Sequence, residues 1–140
     1  MDGRVSRCRQ QRDRGATAVE FALLFPLLML IVFGTIDFGR ALNAQITLTQ
    51  AAREGARIDA LGEPNVVGQT QNAATGLSPV SVLYNACPPG GSLASDAVVN
   101  VSYRFSFITP IGAIAAIIGG SGSLGAPVTL TARGVMPCET

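Results

Sequence analysis

A long apolar run near the N-terminus dominates the hydropathy pattern of this chain. Thr17 to Ile36 is 20 residues, which in a helix gives about 30 Å, the thickness of the hydrocarbon core of a bilayer. Within this run, Glu20 is the charged side chain. An ionisable group in a membrane span costs about 2.5–3.5 kcal/mol near the centre and less near an end. Glu20 is therefore either a functional group or a tolerated interfacial residue.

The helical pattern continues beyond the apolar run. Residues 41–62, ALNAQITLTQAAREGARIDALG, contain no proline and many good helix formers. One face of this segment carries small or apolar residues on which another layer can pack closely, namely Ala44, Leu48, Ala51, Ala52, Gly55 and Ile58. We expect one helix from about Ala16 to Leu61, with its first half in lipid and its second half in water. Gly62 and Pro64 supply the stop signals.

After the helix the pattern changes to short alternating segments. Asp96–Phe107 predicts the clearest strand, because valine and aromatic residues alternate with polar ones. Val80–Tyr84 and Pro127–Val135 predict two further strands, and Val67–Ala74 a short helix. Ile111–Ile118 is apolar but too short to span a membrane, so it either covers the sheet or touches the bilayer surface. The predicted fold is α+β, with the outer half of the long helix packed on a roughly three-stranded antiparallel sheet.

Charge is distributed unevenly along the chain. Five of the ten arginines lie in residues 1–15, together with only two acidic residues. The positive-inside rule then places the N-terminus in the cytoplasm and everything after Ile36 outside. This divides the chain into a basic cytoplasmic leader (1–15), a transmembrane and amphipathic helix (16–62) and a small extracytoplasmic α+β domain (63–140).

Two other interpretations of the N-terminus are weaker. A nucleic-acid arm would also be basic, but arginines directly before an apolar span favour a topology signal, so we expect no nucleic-acid partner. A secretory signal peptide has an apolar region of about 7–15 residues. The run here is longer, and no small-x-small cleavage site follows it directly.

The three cysteines fit this topology. Cys8 lies in the cytoplasmic leader, where thiols stay reduced, whereas Cys87 and Cys138 both lie outside, where a disulfide persists. A bond between Cys87 and Cys138 closes a loop of about 50 residues, worth roughly 4 kcal/mol in the chain-entropy model. A small domain with a thin core would be stabilised substantially by this bond.

The composition argues against an enzyme. The chain has no His and no Lys, so acid–base chemistry would depend on scattered carboxylates, no two of which form a recognisable pair. No glycine-rich phosphate loop follows a predicted strand, and nothing resembles a nucleophile elbow. We expect no catalytic residue, no metal, no cofactor and no small-molecule substrate.

The segment GATAVEF, residues 15–21, resembles the processing motif of type IV prepilins: Gly, four residues, then Glu and an aromatic. In that family a prepilin peptidase cuts after the Gly on the cytoplasmic side. The resemblance implies that Gly15, Ala16, Glu20 and Phe21 form a processing site, with the cut between Gly15 and Ala16. The basic leader and the apolar run around the motif make it more specific than Gly-x4-Glu alone.

A longer stretch, RGATAVEFALLFPLLMLIVFGTIDFGR followed by AAREGAR at Ala51–Arg57, is similar to the TadE-like family of pilus-assembly pseudopilins. These proteins belong to the tight-adherence (Flp pilus) systems and are type IV pilin-like. The resemblance implies a minor pseudopilin that crosses the cytoplasmic (inner) membrane of a bacterium once. Its implied partners are other pilins, the prepilin peptidase and the lipid bilayer. The alternative is an unprocessed single-pass membrane protein with an extracytoplasmic binding domain.

Glu20 has a physical role in this scheme. A cut after Gly15 frees an amine on Ala16, one helical turn from Glu20. Ammonium and carboxylate attract strongly at low dielectric, and each offsets part of the other's desolvation. In pilins this pairing runs between adjacent subunits, which makes Glu20 a candidate subunit contact. Within one chain the same pairing would merely neutralise Glu20.

AAREGAR also has two interpretations. Glu54 and Arg57 are spaced for an i,i+3 ion pair on a wet helix face, worth a few tenths of a kcal/mol, about 0.2–0.5. Arg53 and Arg57 are like charges at i,i+4, so both would gain from acidic partners in the sheet domain or on a neighbouring subunit. Arg53, Glu54 and Arg57 are therefore candidate subunit contacts.

Overall fold

The computed structural model describes residues 5–88, 95–110, 112–113 and 125–139. The elements among these residues are, in chain order, α1 (Val5–Ala60), α2 (Val66–Ala73), β1 (Val80–Asn85), β2 (Asp96–Phe105) and β3 (Val128–Pro137). The strands form an antiparallel sheet in the order β1-β2-β3. The predicted α+β architecture, a long N-terminal helix packed on a three-stranded antiparallel sheet, is confirmed.

The chain divides into two compact units. The first comprises Met1–Asp37 and Thr109–Gly125, and the second comprises Phe38–Ile108 and Ala126–Thr140. In the first unit Asp37 is buried and accepts hydrogen bonds from the backbone N–H of Thr109, at 3.2 Å, and from the Thr109 hydroxyl. Most of the apolar segment predicted at 111–118 lies outside the described residues.

α1 begins earlier than the sequence pattern predicts. It starts at Val5, so the basic residues before Gly15 continue the helix instead of forming a separate leader conformation. The reason is local, because residues 5–14 contain neither proline nor glycine and are rich in Arg and Gln, which are good helix formers. Pro26 lies inside α1 without ending it.

The end of α1 is fixed by a glycine-based cap. Gly62 has a φ of 67°, the left-handed conformation that glycine adopts without a steric penalty. The N–H of Glu63 donates to the carbonyl of Ile58 at 3.1 Å, and the N–H of Gly62 donates to that of Asp59 at 3.0 Å. This pair of bonds is the Schellman motif, so the helix stops close to the predicted position.

The core of the second unit lies between α1 and one face of the sheet. The small-residue face predicted for α1 is buried throughout: Ala44, Leu48, Ala51, Ala52, Gly55 and Ile58. Val99 and Val101 of β2 are buried against it, whereas Asn100 between them is exposed. The period-two pattern therefore predicted the correct inward face of β2.

The strand ends differ slightly from the predicted ones, and the pairing explains why. β2 stops at Phe105, opposite the first residue of β3, and does not reach Phe107. The ring of Phe107 instead packs edge-on against that of Phe105, with centroids 5.4 Å apart. β3 extends to Pro137 rather than ending at Val135, because the N-terminal residues of β2 pair with it there.

Two glycines allow the helix and the sheet to approach closely. A Cβ on Gly134 of β3 would overlap with the backbone carbonyl of Ala52 in α1. A Cβ on Gly55 would lie 3.2 Å from the side chain of Val99 and would overlap with that of Thr70. The small residues of α1 and Gly134 thus bring two backbones into near contact.

Candidate functional site

The N-terminal part of α1 presents an exposed apolar surface. Its most apolar window has a mean hydropathy of 2.3, and none of it is buried within the structure. Phe21 and Leu23 are 65% and 73% exposed. Among the described residues this is the helix that is long and apolar enough to cross a membrane. A helix with apolar side chains on every side is suited to lipid rather than to water.

The candidate processing residues lie together on this helix. Gly15, Ala16, Glu20 and Phe21 are all exposed, so none of the described residues covers the predicted cut. Ala16 and Glu20 lie one turn apart on one helix face, so within one chain an amine on Ala16 would lie beside the carboxylate of Glu20. The Phe21 ring packs against that of Phe25 with centroids 5.6 Å apart. The use of these residues in processing stays a prediction.

The predicted ion pair in the C-terminal part of α1 is present. The Arg57 guanidinium lies 3.1 Å from the Glu54 carboxylate, with both side chains substantially exposed. An exposed pair of this kind contributes little stability, about 0.2–1 kcal/mol. Arg53 is exposed on the same helix. The role of Arg53, Glu54 and Arg57 as subunit contacts stays a prediction.

A disulfide joins Cys87 and Cys138, the pair expected from the topology, with their Cα atoms 5.9 Å apart. Cys138 is buried with Ala60 and Ala97 in a small cluster. The N–H of Glu139 donates to the carbonyl of Ala60 at 3.2 Å, which gives a C-terminal carbonyl of α1 a partner. The disulfide ties the C-terminal segment to Cys87, which follows β1, and the hydrogen bond ties it to the end of α1.

Sequence reasoning missed Asp59, treating it as one of several scattered acids. The side chain is only 4% exposed, and its Oδ2 has no hydrogen-bond partner among the described residues. Burial raises the pKa of Asp59, against the opposing effect of a hydrogen bond with the backbone of Cys87. Its position between Ile58 and Ala60, both on the inward side of α1, was the signal available in the sequence.

The described residues offer little for metal binding. No group of three or more His, Cys, Asp or Glu side chains in the described ranges is arranged to hold a metal ion. The features that stand out chemically are instead an exposed apolar helical segment, the carboxylate of Glu20 near the start of that segment, and the disulfide in the second unit.

Comparison with known protein families gives a match to part of the long helix α1. Residues 15–57 match the model of the family described as TadE-like protein. No curated protein and no solved structure matches the chain. The match covers the candidate processing residues, the apolar run and the AAREGAR segment, and it ends before α2 and the sheet. The resemblance to the TadE-like family is thereby confirmed over residues 15–57.

Proposed function

We propose that this chain is a minor pseudopilin of TadE type that takes part in assembling a Flp/type IV-like pilus at the cytoplasmic membrane of a bacterium. The observation that carries the proposal is the family match over residues 15–57, which falls on one helix able to cross a membrane. Together these suggest a single-pass membrane protein related to pilus assembly. The proposal adds to this a specific role as a minor pseudopilin.

The proposed orientation has the N-terminus in the cytoplasm and the second unit outside. The excess of arginine before residue 15 supports it, because positive residues flanking a span stay on the cytoplasmic side. The Cys87–Cys138 bond agrees with it, since disulfides persist outside the cytoplasm. The segment 1–15 is then a leader that a prepilin peptidase removes on the cytoplasmic side of the membrane.

Removal of the leader would create the assembly contact. The new amine of Ala16 and the carboxylate of Glu20 are the two charges available in the apolar part of the mature helix. If Glu20 of one subunit meets the amine of the next, the attraction at low dielectric sets the axial register between subunits. Arg53, Glu54 and Arg57 form a second proposed contact with other pilins, on the exposed side of the outer helix.

Leader removal is the sharpest test. In cells with the matching prepilin peptidase, wild-type protein should begin at Ala16, and Gly15→Leu should stay full length because a peptidase that acts on Gly has no room for a branched side chain. Gly34→Leu is the matched control, since neither glycine has an atom within 4 Å of a Cβ built on it. Intact mass measurement of the membrane-extracted protein distinguishes the two forms.

The alternative function gives the opposite result. An unprocessed membrane anchor with an outward binding domain would be recovered at full length from the wild-type strain, and Gly15→Leu would change nothing. Recovery of the form beginning at Ala16 from the Gly15→Leu strain would also contradict the proposed recognition of Gly15.

A further inference from the structure

A small polar pocket lies within the second unit, where α1, the loop after α2 and β2 meet. Its volume is about 210 Å³. The side chains that matter for its chemistry are Arg40, Asn43 and Thr47 from α1, Thr75 from the loop, and Tyr103 and Phe105 from β2. One guanidinium, one amide and three hydroxyl groups around a space of this size suit a small anionic group rather than an apolar ligand.

Arg40 contacts an aromatic ring of the pocket. Its guanidinium carbon lies 5.2 Å from the centre of the Phe105 ring, and Phe105 is buried and therefore a fixed platform. When a guanidinium stacks on an aromatic ring, its flat face contacts the ring. Phosphate binds along its N–H edge, where five donors serve more than one acceptor. Contact with Phe105 and binding of phosphate are therefore compatible.

The position of Arg40 along α1 indicates where the anion comes from. Arg40 follows Ile36, the last residue of the apolar run, by four residues, or about 6 Å of helix. The headgroup region adds roughly 5–8 Å to each side of the hydrocarbon core. If the apolar run fills the core, as the proposed function requires, Arg40 lies at the depth of the lipid phosphates.

We propose that this pocket binds the phosphate of an anionic phospholipid headgroup from the outer leaflet of the membrane. Arg40 supplies the charge, and Asn43 and Thr75 supply hydrogen bonds. The bound headgroup sets the depth of the second unit at the bilayer surface for as long as the subunit stays in the membrane. This inference rests on the membrane placement in the proposed function but not on pilus assembly or leader removal.

The test uses the full chain in nanodiscs that contain equal amounts of phosphatidylglycerol and phosphatidylcholine. Native mass spectrometry of the released protein should show retained phosphatidylglycerol in preference to phosphatidylcholine. Arg40→Gln should reduce that retention about fivefold, the effect of one basic side chain near an anionic surface. Asn43→Ala, which leaves the Arg40–Phe105 contact in place, should reduce it by a smaller factor.

The matched control is Arg53→Gln, which removes the same charge from an exposed position on the same helix outside the pocket lining. It should retain phosphatidylglycerol like wild type. Equal loss in Arg40→Gln and Arg53→Gln would show general charge attraction and overturn the pocket. Thermal unfolding of each variant separates a lost ligand from a lost fold, and Asn43→Ala decides the matter if Arg40→Gln unfolds.

Three further outcomes separate lipid from free phosphate as the ligand, and failure of the pocket from failure of the membrane placement. If inorganic phosphate binds the detergent-solubilised protein through Arg40 and displaces no lipid, the ligand is free phosphate and the lipid assignment is wrong. If wild type enters nanodiscs without preferring phosphatidylglycerol, the pocket assignment fails while the membrane function stands. If the chain does not enter nanodiscs at all, both fail.

Discussion

Leu23 and Leu48 lie on the same helix, yet the first is 73% exposed and the second fully buried. Around Leu23 most neighbouring side chains are bulky and apolar, and Phe21 among them is 65% exposed. Around Leu48 the inward residues are small, and Ala51 and Ala52 are completely buried. Lipid chains adapt to any apolar surface, whereas a sheet of fixed shape requires residues that let its backbone approach.

The two parts of α1 therefore carry different information. In the N-terminal part, total hydrophobicity predicts the environment, and the order of the side chains matters less. In the C-terminal part, the size of each inward residue matters, because Gly134 lets β3 lie against the backbone of α1 at Ala52. Substitutions that respect hydrophobicity but change size should be tolerated in the first part and harmful in the second. Glu20 is the exception that a purely lipid-facing segment does not explain.

The largest effect is expected from a substitution of Glu20. Glu20→Ala should abolish pilus assembly while leaving membrane insertion and leader removal intact. Insertion should not suffer, because removing a charge from an apolar span makes partitioning more favourable. Counting pili by electron microscopy and co-purifying other pilins measure the effect. Glu63→Ala, which removes the same charge from an exposed position beyond α1, is the control. Normal pili in the Glu20→Ala strain would reject the docking role and leave the lipid-facing description complete.

Loss of the disulfide should give the next largest effect, confined to the second unit. Replacing Cys87 and Cys138 with Ser releases a loop of 51 residues, which in the chain-entropy model lowers the free energy of unfolding by about 4 kcal/mol. Tyr84 and Tyr103, the two tyrosines of a chain without tryptophan, both lie in this unit. Tyrosine fluorescence during denaturation in mild detergent therefore reports the unfolding of the second unit selectively. Cys8→Ser should behave like wild type, and an equal loss in that control would contradict the assignment.

Size should matter in only one part of the helix. Ala52→Leu adds three carbons where α1 meets the backbone of Gly134, so the second unit should lose about 3 kcal/mol of stability, the upper end for overpacking. Ala22→Leu makes the same change at an exposed position in the apolar part and should leave the tyrosine transition unchanged. Similar effects of the two substitutions would mean that the two parts do not differ in packing as described.

Much of this contrast was predictable from the sequence. The apolar run, the inward face of α1 and the alternation in β2 depend on local periodicity, which a single chain displays directly. The early start of α1 was missed because the prediction began the helix with the apolar run, although residues 5–14 contain no helix breaker. The ends of β2 and β3 were missed because each depends on where its partner strand stops. The Arg40 pocket depends on three elements distant in sequence, which no local pattern reveals.

The burial of Asp59 was missed although Ile58 and Ala60 beside it are also buried, because this burial depends in addition on Cys87 and the C-terminal segment, which are distant in sequence. Burial favours the neutral acid, so the pKa in the folded state lies above the ordinary value of 3.8. The folded protein then holds this proton more tightly than the unfolded chain does. The stability that this provides is complete below the ordinary pKa and is lost as the pH rises through the folded-state pKa.

Asp59→Asn should remove this pH dependence, the smallest effect considered, because the amide resembles the neutral acid in shape and carries no charge to bury. Wild-type stability, followed by tyrosine fluorescence, should fall through this group as the pH rises from about 4 towards 8. The variant should show a flatter profile and match wild type only at the acidic end. Asp96→Asn, at an exposed position on β2, is the control and should keep the wild-type slope. If Asp59→Asn keeps that slope as well, Asp59 is ionised in the folded state and the end of α1 is open to water. In that case the C-terminal part of α1 is less tightly enclosed than its buried alanines indicate.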